Sequence, residues 1–407
     1  MERYTSRPPL LSTGLMCCLF AAVILPPLSS KLFFRRSPRV TPSPRDILLS
    51  LSQSEISSLP YPPDALPGGR DVPTPYGMIK VFEFGPTSGE RVLLLPGLST
   101  PCLSLSKLAD ALVQKGYRVM LFDYFGRGWS DTPDPDEVDH DERLYASQIM
   151  MAVASSEVSW MGDAGRGDNS GFHVIGYSFG GGLAVNFASW FPHLVRSVTA
   201  VAPGGLVKRS SNSWRTRLLY SRGMFPEALL RHFVRRRFQP AYKAAQVSVS
   251  HDLVPEKAEL GQTGRKITGD PFDDAVLSVR QPNVTVASVI AWQLSHHEGF
   301  VPAIMSAMRY GPIYEQHQEW RRLGSLLSDR RKDPSLPGLL GGKMLLVLGF
   351  SDSIVTAEGI LPELEDTLGK DAFEVEVLKA GHEVAIIKGA EVADAATSFW
   401  TRCSAAG

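Results

Sequence analysis

One serine, one aspartate and one histidine stand in this chain where strand-like runs must turn into helices, and together they could perform nucleophilic acyl chemistry. Gly176-Tyr177-Ser178-Phe179-Gly180 follows the apolar run Phe172 to Ile175 and precedes the helix-like stretch GGLAVNFASW. Glycine on both flanks allows a sharp reversal and a close helix, so the serine oxygen is presented at the strand end, beside a helix N-terminus that favours negative charge. Serine is a weak nucleophile until a base takes its proton, and the base must itself be oriented. Asp352 follows the run MLLVLG in Gly349-Phe350-Ser351-Asp352, and His382 follows the next strand-like run in Ala380-Gly381-His382-Glu383. The order serine, acid, histidine makes Ser178 the nucleophile, Asp352 the orienting acid and His382 the general base. Taken singly, each has a plainer reading as a loop serine, a turn aspartate or a helix-terminal histidine; it is the combination that carries the chemistry.

Acyl chemistry also needs donors aimed at a tetrahedral oxyanion. The backbone N–H of Phe179, next after the nucleophile, is one candidate. Leu95-Pro96-Gly97-Leu98 closes an earlier strand and offers the second, the N–H of Leu98, with Gly97 permitting the turn. The remaining histidines compete poorly: His173 lies within a strand, His193 follows Pro192 at a helix end, and His140 and His317 have polar surroundings. His296 and His297, in WQLSHHEGF, read as a capped helix end in preference to a pocket lining. No i, i+4 histidine pair or CxxC pattern calls for a metal, and no motif calls for a cofactor. With Cys17 and Cys18 in the N-terminal apolar stretch, Cys102 and Cys403 remain, which read as buried thiols more readily than as a bridge.

These residues need a scaffold, and the hydropathy pattern supplies one. Strand-length apolar runs recur at Met78 to Phe84, Val92 to Leu95, Arg118 to Phe122, Phe172 to Ile175, Val198 to Ala202, Met344 to Leu348 and Phe373 to Leu378. Helical spacing lies between them at Ser104 to Lys115, Glu142 to Glu157, Phe179 to Trp190 and Val384 to Phe399. Continuous apolar strands suit a parallel sheet buried on both faces, so the expected fold is α/β, doubly wound and mostly parallel. Strand-like runs nearly vanish between Leu206 and Leu340, which reads as an inserted, mainly helical cap. The expected organisation is 1–30 membrane segment, 31–75 Pro/Ser-rich linker with a short helix near Arg45 to Leu59, 76–205 core, 206–340 cap and 341–407 core.

The whole chain is 407 residues long, 43% hydrophobic and 21% charged, with 42 basic and 42 acidic residues. That balance excludes a disorder-dominated chain and lacks the positive field of non-specific nucleic-acid binders. The early cap is locally basic, from Lys208 to Arg237 with Glu227 the lone acid, a pattern that reads first as a solvated helix face. Leu10 to Leu28 reads LLSTGLMCCLFAAVILPPL, long enough to cross a hydrocarbon layer of ~30 Å, so a single-pass N-terminal membrane anchor is expected over a cleaved signal peptide. The basic residues from Lys31 onward favour a cytosol-facing domain. Asn283-Val284-Thr285, a glycosylation acceptor, favours a lumenal one and a secretory route. Both orientations stay open.

At larger scale the residues resemble the α/β-hydrolase superfamily from about Met78 to Thr401. Asp123-Tyr124-Phe125-Gly126-Arg127-Gly128-Trp129-Ser130 is similar to its D-x-x-G-x-G-x-S turn, and GYSFGG, GFSD and AGHE match its nucleophile, acid and histidine signatures. The family's oxyanion loop usually reads His-Gly; here it reads Pro96-Gly97. With VTVASVIAWQLSHHEGFVPA included, the chain looks most like the hydrolases abundant in filamentous fungi, some of which serve secondary-metabolite pathways. The resemblance implies hydrolysis of a carboxylic ester or thioester of a hydrophobic small molecule through an acyl-serine intermediate. Acyl transfer to an alcohol and a non-catalytic binding protein of the same fold are the alternatives.

Overall fold

A computed structural model describes residues 39–161, 171–209, 214–238, 270–278 and 281–405, all within the unit Arg39–Gly407. Eight strands form its main sheet: β1 Gly69–Thr74, β2 Gly77–Phe84, β3 Arg91–Leu95, β4 Arg118–Phe122, β5 Phe172–Tyr177, β6 Val195–Val201, β7 Met344–Gly349 and β8 Phe373–Leu378. Their order is β8-β7-β6-β5-β3-β4-β2-β1. The pairs from β8 to β4 are all parallel, and the last two pairs, β4 with β2 and β2 with β1, are antiparallel. This is the doubly wound, mostly parallel sheet expected from the apolar runs. Every residue of β5, β6 and β7 is buried, as a sheet covered on both faces requires. One strand of this main sheet was not expected, and a short antiparallel pair outside it, Val40–Thr41 with Thr132–Pro133, was not expected either. β1 falls in the stretch read as linker, because its sequence GRDVPT is polar, contains Pro73, and alternates exposed with half-buried positions; a proline survives there because β1 is an edge strand.

The sheet order reverses around β3, which lies between β5 and β4 although it precedes both. Crevices open beyond the carboxyl ends of strands at such a switch point. β3 ends at Leu95 opposite Gly176 of β5, so the Pro96–Leu98 turn and Ser178 leave the sheet side by side.

Helices α1 Ser106–Gln114, α2 Glu142–Ala154 and α3 Phe179–Trp190 connect the early strands. Between β6 and β7 the described residues include α4 Trp214–Leu219, a helical stretch at 227–238, α5 Val286–His296, α6 Phe300–Tyr310 and α7 His317–Lys332. The last of these packs against α3 and against α8 Ala357–Leu368, burying Trp320, Leu323 and Leu327. By contrast α5 and α6 lie over the turn that follows β4: a Cβ on Gly126 would come within 2.3 Å of the Cβ of Ala303. The expected helix from Val384 breaks after four residues, giving α9 Val384–Ile387 and α10 Gly389–Ala405. Gly389 sits at the break, where a Cβ would meet the backbone N of Leu108 at 2.5 Å. Cys102 and Cys403 are free and buried.

The membrane expectation needs correction. No helix among the described residues is long and apolar enough to cross a membrane; the longest single helix of the core, α10, has 17 residues and carries charge along its length, against the ~20 apolar residues a span needs. The transmembrane anchor and the membrane localisation are therefore withdrawn, and the Leu10–Leu28 run on which they rested lies outside the described residues. Thr285 of the glycosylation tripeptide has a structural task, since its side chain accepts from Ser288 N and caps α5.

Candidate active site

The turn between β5 and α3 is tightly constrained. Ser178 adopts φ 52° and ψ −115°, a left-handed conformation that a residue with a side chain avoids at a cost of about 1–3 kcal/mol. Its backbone is held from three sides: Ser178 N–H donates to Val201 O at 2.9 Å, while Ser178 O accepts from Gly181 N at 2.9 Å and Gly204 N at 2.8 Å. The flanking glycines are sterically required. A Cβ on Gly176 would stand 2.1 Å from Gly180 O, and one on Gly180 would stand 2.2 Å from Leu95 O. With both absent, α3 closes on β3 and β5 and Gly180 N–H donates to Pro96 O at 3.1 Å.

The three residues singled out in the sequence come together at the ends of their strands. His382 Nε2 lies 3.0 Å from Ser178 Oγ, and its Nδ1 lies 2.8 Å from Asp352 Oδ2. Burial increases away from the serine: Ser178 is half-buried, the His382 side chain is 10% exposed and that of Asp352 is fully buried. Burial alone would raise the Asp352 carboxyl, but the hydrogen bond and charge of His382 and the N–H groups of Val355 and Ile354 outweigh it and hold it below its ordinary range. Those two N–H groups donate to Oδ1 at 2.9 and 2.7 Å, leaving Oδ2 for the imidazole. Such a chain can draw the serine proton onto His382 Nε2 while Asp352 fixes Nδ1–H as the inner donor.

Residues the sequence did not mark complete the frame. Tyr177, the residue before the serine, donates its hydroxyl to His382 O at 2.8 Å; burial pushes its phenol well above the usual range, so it stays a neutral donor. Glu383 accepts from Gly381 N at 2.9 Å and stiffens the histidine turn. From the segment between β6 and β7, the Phe272 ring lies 6.1 Å from that of His382. No pattern could have found Tyr177 or Phe272, since the G-x-S-x-G spacing leaves the second residue free and Phe272 is distant in sequence.

Phe179 opens α3, so its N–H belongs to the helix's unpaired first turn beside Ser178. Leu98 stands in the turn beyond β3, its carbonyl accepting from Arg127 Nε at 3.0 Å. His296 and His297 stay outside the serine–histidine–aspartate chain: His296 stacks on Trp292, and His297, the C-cap of α5, bonds Ser130 O through Nε2 at 3.0 Å. That matches a capped helix end. His173 stacks on Trp400 and His317 bonds Glu363. Among the described residues no cluster of three or more His, Cys, Asp or Glu is arranged to hold a metal ion.

Comparisons with known proteins point to the same fold. A family model described as the alpha/beta hydrolase fold matches residues 90–388. An uncharacterised protein of Mycobacterium tuberculosis is 26% identical over 145 residues, which is 36% of this chain and 38% of that protein. The alignment thus spans well under half the length of that curated relative. Among solved structures, a bacterial membrane phospholipase A superposes with a TM-score of 0.53 at 16% identity, covering 96% of this chain and 99% of the other. A putative aryl esterase from Burkholderia cenocepacia gives 0.52 at 14% identity, covering 83% and 99%. At such identities the likeness is one of fold. The family match over most of the chain, a sheet order that reverses at β3, and a strained serine turn at that switch point together mean that the chain belongs to the α/β-hydrolase family.

Proposed function

We propose that the protein is a serine hydrolase that cleaves a carboxylic ester or thioester of a hydrophobic small molecule through an acyl-serine intermediate. The observation that carries this reading is the continuous chain Asp352 to His382 to Ser178, with links of 2.8 and 3.0 Å. In the first half-reaction Ser178 Oγ bonds to the carbonyl carbon as its proton passes to His382 Nε2. The carbon–oxygen or carbon–sulfur bond then breaks, and His382 returns the proton to the departing alcohol or thiol. In the second half-reaction water takes the place of that alcohol or thiol, yielding the acid and free serine. The N–H groups of Phe179 and Leu98 serve as oxyanion donors, and Asp352 keeps the imidazole in the tautomer that can accept at Nε2. The domain division goes with this reading: 76–205 and 341–407 supply the chemistry, and 206–340 acts as a cap that bounds the acyl or alcohol group, with Phe272 against the imidazole as its inner wall.

Turnover of a series of p-nitrophenyl esters tests the proposal. The wild-type protein should prefer medium to bulky acyl chains over acetate, and Ser178→Ala should turn over none of them. Equal turnover by Ser178→Ala would refute the assignment. A flat profile from acetate to long acyl chains would refute the cap's role alone.

A further inference from the structure

The oxyanion loop of this protein lacks the usual His-Gly, and its backbone is held by side chains from elsewhere. Pro96 O accepts from Gly180 N at 3.1 Å and from the Tyr124 hydroxyl at 3.2 Å. Leu98 O accepts from Arg127 Nε at 3.0 Å, and Ser99 O accepts from Gln293 Nε2 at 3.1 Å. The peptide that presents Leu98 N–H is thus clamped before and after. Gln293 is fully buried on α5, and its other amide atom, Oε1, accepts from Gly128 N at 2.9 Å. The two ends cannot exchange, because one faces a carbonyl and the other an N–H.

Arg127 is also fully buried. Its Nη1 donates to Phe125 O at 2.7 Å and to the Tyr145 hydroxyl at 2.9 Å. The rings of Tyr145 and Tyr124 pack edge-on against Phe179 at 5.2 and 5.5 Å. Both backbone donors assigned to the oxyanion, Leu98 and Phe179, therefore rest on one frame, the Asp123–Ser130 turn, and Gln293 fastens that turn to the loop.

We propose that Gln293 is a positioning residue of the oxyanion loop: its buried amide, carried on a helix outside the core sheet, ties Ser99 to Gly128 and so sets the direction of Leu98 N–H, with Arg127 holding the adjacent carbonyl. The inference rests on Ser178 being the nucleophile as proposed above. In physical terms an N–H aimed a few tenths of an ångström off the developing oxyanion loses stabilisation in the transition state while leaving ester binding in place. The helix that carries Gln293 is consequently part of the catalytic frame as well as a wall over it.

The test compares wild type with Gln293→Met, which keeps the volume and loses both hydrogen bonds, using p-nitrophenyl butyrate and a trifluoromethyl ketone. Ser178 Oγ adds to the ketone carbonyl, its proton passing to His382 and the carbonyl oxygen becoming an oxyanion. We expect kcat to fall about tenfold or more with KM little changed, and inhibition by the ketone to weaken by the same factor. Wild-type kcat and ketone affinity in a folded Gln293→Met would overturn the inference, as would a loss confined to KM, which would mark a role in packing or binding only. Should Gln293→Met not fold, Gln293→Asn, one methylene shorter and unable to span from Ser99 O to Gly128 N, must show the same parallel loss in kcat and ketone affinity, and its failure to do so overturns the inference equally. A wild-type protein that neither turns over esters nor binds the ketone instead sinks the serine-hydrolase reading, so the two failures are distinguishable.

Discussion

Gly180→Ala sets two effects of opposite sign against each other. Gly180 sits in the first turn of α3 with an ordinary helical backbone, where alanine gains about 1 kcal/mol in helix propensity over glycine. Its added Cβ, however, would stand 2.2 Å from Leu95 O, 2.6 Å from Leu95 C and 2.6 Å from Pro96 O, where ordinary contact begins at 3.4 Å. All three atoms are backbone, so no side chain can swing aside, and the loop must retreat from α3 by about an ångström. Overpacking of this kind costs about 1–3 kcal/mol, which cancels or exceeds the propensity gain. The larger consequence is catalytic. The retreat separates the Leu98 donor from Ser178 and breaks the Gly180 N–H bond to Pro96 O, and misplacement by about 1 Å costs around 10²-fold in rate. Urea unfolding and steady-state kinetics on p-nitrophenyl butyrate measure both. The expected result is a kcat lower by about 10²-fold at nearly constant KM, with a stability change between zero and a loss of about 2 kcal/mol. A variant more stable than wild type by the full propensity gain, with unchanged kcat, would refute the steric account of the turn.

Asp352→Asn should lower kcat by roughly 10³- to 10⁴-fold, because an amide NH2 toward Nδ1 selects the wrong imidazole tautomer; retention of wild-type turnover would make another carboxylate the acid. Asp123→Asn should destabilise by about 1–3 kcal/mol: Oδ1 and Oδ2 accept from Cys102 N and Trp129 N, each at 2.9 Å, and an amide can satisfy only one of them. Unchanged urea unfolding would count against that assignment. Stability should also fall below pH 6.5. Burial pulls His140 down to about 3 and His297 to about 4 from the ordinary 6.5, so in this window the unfolded chain binds protons that the folded chain refuses. The stabilisation is complete above pH 6.5 and is lost toward pH 4, by about 1.4 kcal/mol per histidine for each pH unit. Urea midpoints from pH 7.5 to 5 should show this slope, and His297→Gln should reduce it; an equal slope in the variant would contradict the assignment.

The three residues proposed to do the chemistry were legible for a local reason. Ser178 and Asp352 each follow an apolar run buried along its whole length, and His382 follows the alternating edge strand FEVEVL, so their types and their placement at strand ends could be read together. The proposed oxyanion donors Phe179 and Leu98 followed from the same logic, because one is next to the proposed nucleophile and the other closes β3. The frame behind them was not legible. Arg127 reads as one letter of a turn motif and Gln293 as a polar residue in an apolar helix, and the bonds of Gln293 join positions 165 and 194 residues apart: Gly128 to Gln293 would be marked by no local pattern, nor would Ser99 to Gln293. Strand β1 was hidden because an edge strand with Gly69, Pro73 and charged residues has the composition of a linker. The N-terminal apolar run invited a membrane reading from composition alone, and no described helix supports it.

Covalent labelling tests the central claim most directly. Wild-type protein treated with a fluorophosphonate should gain one adduct by intact mass, carried on the peptide containing Ser178, as fluoride leaves and the Oγ–phosphorus bond forms. Ser178→Ala should gain none, and His382→Ala should label far more slowly. A wild-type protein that stays unmodified, or a Ser178→Ala variant that labels equally, would contradict the account.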